Sequence, residues 1–178
     1  MNRMLRVALP LVAALALSAC GFHLRRSAAL PPSMSQVHLT VSGGGDLERG
    51  LTRALENANV TVEDDAGPGI AELRVPVASF GTQSLTQGGY VRITEYAVSY
   101  NVEFDVSGAD GTTVLPHQHI NLQREYSYDS TDTVGNASQV QQIQRSLVDD
   151  MVQAIMFRLE AAGRHAQETP APAGTGGH

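Results

Sequence analysis

The sequence predicts an α+β fold, a two-layer sandwich in which two helices pack on one face of a four-stranded mixed or antiparallel sheet. The clearest observation is the alternation of apolar and polar residues over residues 96–106, typical of a strand with one buried and one solvated face. Residues 47–58 and 140–159 carry apolar side chains every three or four positions and predict two amphipathic helices. Two helix stripes and one sheet face can bury one another in a single core.

The first half of the domain is predicted to contain a strand, a helix and a second strand. Residues 37–41 form the first strand, and Asp46 is a suitable N-cap for the helix that follows a glycine-rich turn. A small extended piece is expected at residues 60–62, after that helix. The second strand spans residues 70–80, where Pro76 indicates an edge or a bulged position.

The second half is predicted to contain a hairpin and a long helix. Residues 81–89 are expected to be a loop, and residues 107–111 a hairpin loop between the third strand and a fourth that ends near Tyr128. After a polar loop at residues 129–135, Asn136 or Ser138 caps the second helix.

The C-terminal end of the chain is predicted to lack packed structure. Gly163 stands where a helix C-cap would, so the long helix is expected to end there. Residues 164–178 are rich in Ala, Pro, Gly and Thr and bury too little apolar area to fold, so we expect a disordered tail.

The N-terminus has the pattern of a bacterial lipoprotein. Residues 1–19 carry early arginines and then an apolar run too short to span a bilayer, as in a secretory signal peptide. The run ends in the lipobox Leu17-Ser18-Ala19-Cys20. We expect cleavage before Cys20, a diacylglycerol on its thiol and an acyl group on its amine; the alternative is an incidental cysteine. Residues 20–36 are then a lipidated tether and residues 37–163 the domain.

The residue after the cysteine indicates the membrane. In the sorting rule of enteric bacteria, Asp at this position favours retention at the inner membrane, and this chain has Gly21. We therefore expect a lipid-anchored protein on the periplasmic side of the outer membrane. Three acyl chains exceed what stable anchoring requires.

Composition and charge argue against nucleic-acid binding and against a disulfide. The formal charge is −6, and it becomes −8 without the signal peptide, which holds Arg3 and Arg6 but no acid. Such a chain is not expected to bind nucleic acid. With Cys20 acylated, no disulfide can form. All the basic residues other than histidine are arginines, which would meet an anion with planar bidentate groups, although GC-rich codon usage gives the same composition.

No motif supports catalysis, a cofactor or a metal. His117 and His119 share a strand face and could chelate together, but no third ligand is near in sequence, so exposed histidines beside a loop are the favoured interpretation. The glycine-rich turn at residues 42–45 lacks the Lys-Ser/Thr end of a phosphate loop. We expect a protein that is not an enzyme.

Two arginines interrupt the apolar patterns of the hairpin strands. Arg124 lies on the apolar face of the fourth strand, and Arg92 lies at the start of the third. If the hairpin is centred on Ala109, both lie near its open end, flanked by Tyr90, Tyr96, Tyr126 and Tyr128. Guanidinium groups beside aromatic rings suit a phosphorylated amphiphile. The alternative is that each arginine pairs with a local acid such as Glu95 or Glu125.

Residues 20–163 resemble the LptE (RlpB) family of lipopolysaccharide-assembly lipoproteins. The resemblance rests on Cys20-Gly21-Phe22-His23-Leu24-Arg25, on the spacer Leu30-Pro31-Pro32-Ser33-Met34 and on the element order. It implies a plug inside the LptD β-barrel that helps this barrel assemble and binds lipopolysaccharide. Basic residues at one end of the sheet contact lipopolysaccharide in studied members, and Arg92 and Arg124 lie in comparable places.

A second hypothesis is another outer-membrane α/β lipoprotein, such as an activator of a peptidoglycan synthase or an accessory lipoprotein of a lipid-transport system. A synthase activator must reach through the cell wall on a long tether. About fifteen residues separate Cys20 from the first predicted strand, which at roughly 3.3 Å each span about 50 Å. This short tether favours a partner in the same membrane.

Replacing Cys20 tests the anchor directly. Cys20→Ala removes the thiol that would carry the diacylglycerol, so it should abolish acylation and release the protein from the membrane fraction. Membrane partitioning and electrophoretic mobility are the measurements. If both are unchanged by the substitution, the lipoprotein prediction is wrong.

Overall fold

The computed structural model describes residues 30–85, 93–129 and 131–168. Cys20, Arg92 and the end of the predicted tail lie outside these residues. A 3-10 helix at Pro32–Met34 opens the described chain. The strands and helices that follow are, in order, β1 (Gln36–Val41), α1 (Gly45–Asn57), β2 (Thr61–Glu63), β3 (Ala71–Ser84), β4 (Ile93–Ser107), β5 (Thr113–Asp129) and α2 (Thr133–Glu168).

The strands form one mixed sheet in the order β2-β1-β3-β4-β5. β1 is parallel to both β2 and β3, while the pairs β3–β4 and β4–β5 are antiparallel. The four predicted strands are therefore five, because the short extended piece after α1 pairs with β1 from Gln36 opposite Thr61 to His38 opposite Glu63. Three residues are too few to show a period in the sequence, so only their pairing identifies them as a strand.

β3 continues past its predicted end at residue 80. Residues 81–84, which the sequence places in a loop, pair with β4 as far as Ser84 opposite Tyr96. This stretch is polar and has no hydrophobic period of its own. It is extended because the longer strand β4 offers it a complete row of backbone hydrogen-bond partners.

Pro76 lies where β3 loses its pairing with β1 and keeps its pairing with β4. The register between β3 and β4 shifts between Arg74 and Val77, so Pro76 lies in a bulge, as predicted. The parallel ladder between β1 and β3 ends at Val75, whose carbonyl accepts a hydrogen bond from the Ser42 N–H at 2.9 Å. Beyond this point β3 pairs with β4 alone among the described residues.

Both helices pack on the same face of the sheet, as predicted. α1 and α2 bury their apolar stripes in one core with the even-numbered residues of β4 from Val98 to Val106. The fully buried helix residues are Leu47, Leu51, Leu55, Leu147, Met151, Ile155 and Leu159. The odd-numbered polar residues of β4, such as Ser99 and Asp105, lie on the opposite face, which confirms the predicted alternation.

α2 begins earlier than predicted. The side chain of Asp132 accepts a hydrogen bond from the Gly135 N–H at 2.8 Å, so Asp132 caps the helix. The prediction of a cap at Asn136 or Ser138 is wrong. Asn136 is buried instead, and its amide donates to the Asp129 carbonyl at 2.6 Å and accepts from the Asp129 N–H at 3.2 Å. It therefore joins the first turn of α2 to the end of β5.

Two other predicted helix limits also differ. α2 passes through Gly163 and ends at Glu168, so Gly163 is a buried interior residue. A glycine costs about 1 kcal/mol there relative to alanine, an amount that the packing of the preceding apolar stripe offsets. α1 begins at Gly45, so Asp46 lies in its first turn, where it pairs with Arg49. Among the described helices, none has the length and hydropathy to cross a membrane.

Part of the predicted tether belongs to the packed body. Leu30 and Met34 are buried in the core, and the Met34 N–H donates to the Pro31 carbonyl at 2.8 Å. The Ser33 carbonyl accepts a hydrogen bond from the Ala109 N–H at 3.1 Å. The N-terminal segment therefore lies against the turn between β4 and β5.

Gly50 sets the distance between α1 and α2. A Cβ at this position would lie 2.7 Å from Cγ2 of Val152, whose branched side chain cannot easily rotate away. Gly50→Ala should therefore lower the free energy of unfolding by about 1–3 kcal/mol, although alanine favours a helix. Chemical denaturation of Gly50→Ala, Val152→Ala and the double variant measures this. The double variant should recover part of the loss, and strictly additive losses would contradict the close contact.

Candidate functional site

Of the two arginines predicted to bind a ligand, Arg124 lies within the described residues. It lies on β5 opposite Val98, on the same helix-facing side as Tyr126, as its parity predicts. Its Nη2 donates to Oδ2 of Asp150 on α2 at 2.7 Å, and its side chain is 49% exposed. The carboxylate beside Arg124 is therefore Asp150, not Glu125 from its own strand.

The ion pair leaves Arg124 able to bind a ligand. Of the five N–H donors of the guanidinium, one contacts Asp150 and the rest have no acceptor within the described residues. A pair that is half exposed contributes about 0–1 kcal/mol to stability. A phosphate oxygen can therefore join or replace the Asp150 carboxylate at small cost.

Three tyrosines form an aromatic cluster beside Arg124. The rings of Tyr96 and Tyr126 lie 5.7 Å apart at 22°, and those of Tyr96 and Tyr128 lie 5.7 Å apart at 77°. Burial raises the pKa of Tyr126, and the two neighbouring tyrosines raise it further. The hydroxyl of Tyr126 is therefore neutral near pH 7, and the cluster offers apolar ring faces together with hydroxyl donors.

Arg92 lies outside the described residues, and so does its predicted approach to Tyr126. The register of the hairpin differs from the prediction, because Tyr96 opposite Tyr126 centres the pairing on Gly111 and not on Ala109. Two register shifts near the turn give β5 extra residues relative to β4. Bulges of this kind leave no mark in a hydrophobic pattern.

The sheet face opposite the helices is a hydrogen-bonded polar surface. Arg74 donates from Nε and Nη2 to Oδ2 of Asp105 at 3.0 and 2.6 Å, which raises the pKa of Arg74 above its usual value. The amide of Asn121 donates to that of Asn101 on the neighbouring strand. These groups are satisfied by partners on neighbouring strands, and the polar face is suited to a hydrated contact.

The two histidines considered as metal ligands lie on this polar face. His117 Nε2 is 3.6 Å from Oε2 of Glu103, and His119 is exposed opposite Glu103. Within residues 30–85, 93–129 and 131–168, no three His, Cys, Asp or Glu side chains are placed to hold one metal ion.

The helix side also holds a groove that no pattern in the sequence predicts. It has a volume of about 400 Å³ and lies between the first turns of α1, the middle of α2 and β3. We call it the arginine groove, and the residues that matter for it are Arg49, Arg53, Phe80, Gln141, Gln144 and Arg145. The arginines and glutamines lie on the polar faces of two separate helices and gave no signal, because only the packing of α1 on α2 brings them together beside Phe80 of β3.

Several solved structures share this fold. A minor lipoprotein from Acinetobacter baumannii is 24% identical over 72% of this chain and 92% of that chain, with a TM-score of 0.59. The rare lipoprotein B from Shewanella oneidensis is 20% identical over 75% and 99%, with a TM-score of 0.65. Lipoprotein B from Nitrosomonas europaea is 22% identical over 83% and 94%, with a TM-score of 0.64. At these identities the likeness shows the fold alone, and no curated protein matches the sequence.

The family comparison is more specific. The LptE family model, described as lipopolysaccharide-assembly, matches residues 32–159, from the 3-10 helix to the second half of α2. Members of this family are lipoproteins that act in lipopolysaccharide assembly and are not enzymes. Because the match covers most of the sequence and every strand of the sheet, the chain belongs to the LptE family of lipopolysaccharide-assembly lipoproteins.

Proposed function

We propose that this protein is an outer-membrane lipoprotein, anchored through Cys20, that sits as a plug within the LptD β-barrel. In this role it assists assembly of the barrel and binds lipopolysaccharide on its way to the outer leaflet. Membership of the LptE family supports the assembly role. The observation that carries the ligand role is Arg124 beside three tyrosines at one end of the sheet.

The chemistry of this end fits a phosphorylated amphiphile. A guanidinium group binds phosphate through parallel N–H donors, and Arg124 has such donors free of other described residues. The rings of Tyr96, Tyr126 and Tyr128 offer amphipathic surface for sugar or acyl groups. Arg92 is proposed to add a second guanidinium at the same end.

The polar sheet face supports a partner with a hydrated wall. The interior of a large transmembrane barrel is polar and wet. On this face the Arg74–Asp105 pair and the Asn101–Asn121 pair already satisfy one another. At these two pairs the face can rest against a polar lumen without burying an unpaired charge.

The position of the folded body supports a partner in the same membrane. Packing begins by Leu30, so nine residues separate Cys20 from it, and even fully extended they span about 30 Å. This tether is shorter than the one expected from the first predicted strand. It argues further against an activator that must reach across the cell wall.

The barrel partnership is tested by capturing this protein from outer membranes dissolved in detergent. A large β-barrel protein should copurify and be identified by mass spectrometry. Gln123→Arg on the polar face should reduce its recovery, because an added charge must be desolvated in the contact, whereas Gln153→Arg on the exposed side of α2 should not. If the unaltered protein captures no barrel, the second hypothesis is favoured.

The ligand role of Arg124 is tested by substituting each partner of its ion pair in turn. Arg124→Gln should weaken equilibrium binding of purified lipopolysaccharide about tenfold, because a charge-assisted hydrogen bond is lost. Adding Arg92→Gln should weaken it further. Asp150→Asn, which releases Arg124, should not weaken binding. Equal losses in Arg124→Gln and Asp150→Asn would show that the pair is only structural.

A further inference from the structure

The arginine groove holds more positive charge than its carboxylates neutralise. It contains three of the seven arginines in the described residues, within a chain of net charge −6. Arg49 pairs with Asp46. Arg53 donates its Nε to the Arg49 carbonyl at 3.2 Å and makes no ion pair with a described carboxylate. Arg145 has no hydrogen bond or ion pair within the described part of the chain, and Asp149, which also lines the groove, makes no ion pair there with Arg53 or Arg145.

The floor of the groove is an open aromatic face. Phe80 lies on the helix-facing side of β3 yet is 41% exposed, because β1 and α1 do not extend over this part of the strand. Its ring stacks on Tyr100 with centroids 4.1 Å apart and planes at 16°. Burial, with a smaller contribution from Asp46, raises the pKa of Tyr100 to about 12, so the supporting ring is neutral. One face of the Phe80 ring is thus covered by Tyr100, and the exposed part of the side chain lines the groove.

Two amide side chains complete the lining. Gln141 and Gln144 project from one side of α2, and neither side-chain amide makes a hydrogen bond with another described residue. Each amide offers both donors and an acceptor, which is the combination that hydroxyl groups require. The volume of about 400 Å³ is that of a site for a small molecule or a headgroup.

From these features we propose that the arginine groove binds the phosphorylated sugar headgroup of lipopolysaccharide, as a site separate from Arg124. The Nη groups of Arg53 and Arg145 take the phosphate, the amides take the hydroxyls, and Phe80 stacks on the sugar ring. The inference rests on the proposed function, which supplies a glycolipid as ligand. An acidic polypeptide would need the arginines alone, so the amides and the aromatic floor favour the sugar.

The test is a titration of the acylated full-length mature protein in amine-oxide micelles, followed by amide chemical shifts. The probes are glucosamine 6-phosphate, inorganic phosphate and hexaglutamate at matched ionic strength. Glucosamine 6-phosphate should bind more tightly than either other anion and should shift resonances around Phe80 and Arg145. Arg53→Gln with Arg145→Gln should weaken its binding at least tenfold. Both side chains are exposed, so the fold should be retained, as circular dichroism will show.

Arg164→Gln is the matched control, because Arg164 is exposed on α2 and lies over Phe157 at 5.9 Å, outside the groove. It should leave the affinity unchanged. Three results would each overturn the proposal: inorganic phosphate binds as tightly as the sugar phosphate, hexaglutamate binds most tightly, or the double groove variant binds like the parent. Capture of the barrel is a separate readout. Its failure beside intact sugar-phosphate binding would contradict the proposed function and leave the groove as a sugar-phosphate site.

Discussion

The end of the parallel ladder at Val75 determines which part of the sheet each helix can cover. Past the last β1–β3 hydrogen bond the chain turns through Gly43, at φ +78°, and a Cβ on Gly44 would already lie 3.0 Å from Ala78. α1 must therefore start against β3 and run back along β1 for thirteen residues, about 20 Å. α2 has thirty-six residues, about 54 Å, and covers the remaining half of the long strands by itself.

This unequal cover allows charge and a hydrophobic core to share one face of the sheet. In the half that both helices cover, the helix-facing side chains are apolar and buried. In the half that α2 covers alone, Arg124 lies on one flank of α2 with Asp150, while the arginine groove opens on the other flank, where the first half of α1 meets α2. These guanidinium groups lie at the open edges of the helix layer, so they remain solvated and avoid the large cost of burying a charge. Both proposed ligand sites depend on this incomplete cover of the sheet by the helices.

The features predicted correctly are those that one segment determines alone. The alternation along β4, the two helix stripes and the parity of Arg124 follow from local periodicity. The strand at Thr61–Glu63, the extension of β3 to Ser84 and the shifted hairpin register depend on pairing with distant residues, which leaves no period in the segment itself. The same holds for the sites. Asp150 lies twenty-six residues from Arg124, and the arginine groove requires α1 to lie beside α2.

The segment that leads to the anchor and the proposed ligand site of Arg124 lie toward opposite ends of the sheet. Leu30 and Ser33 pack beside the β4–β5 turn, whereas Arg124 and its tyrosines lie toward the opposite end of the same strands. The fifteen residues of β4 extend over about 50 Å, more than the roughly 30 Å hydrocarbon core of a bilayer. If Cys20 holds the end of the sheet at the β4–β5 turn near the inner leaflet, the tether itself is too short to carry the end that holds Arg124 across the membrane. The sheet itself is long enough to span that thickness, which is what the proposed role as a plug requires.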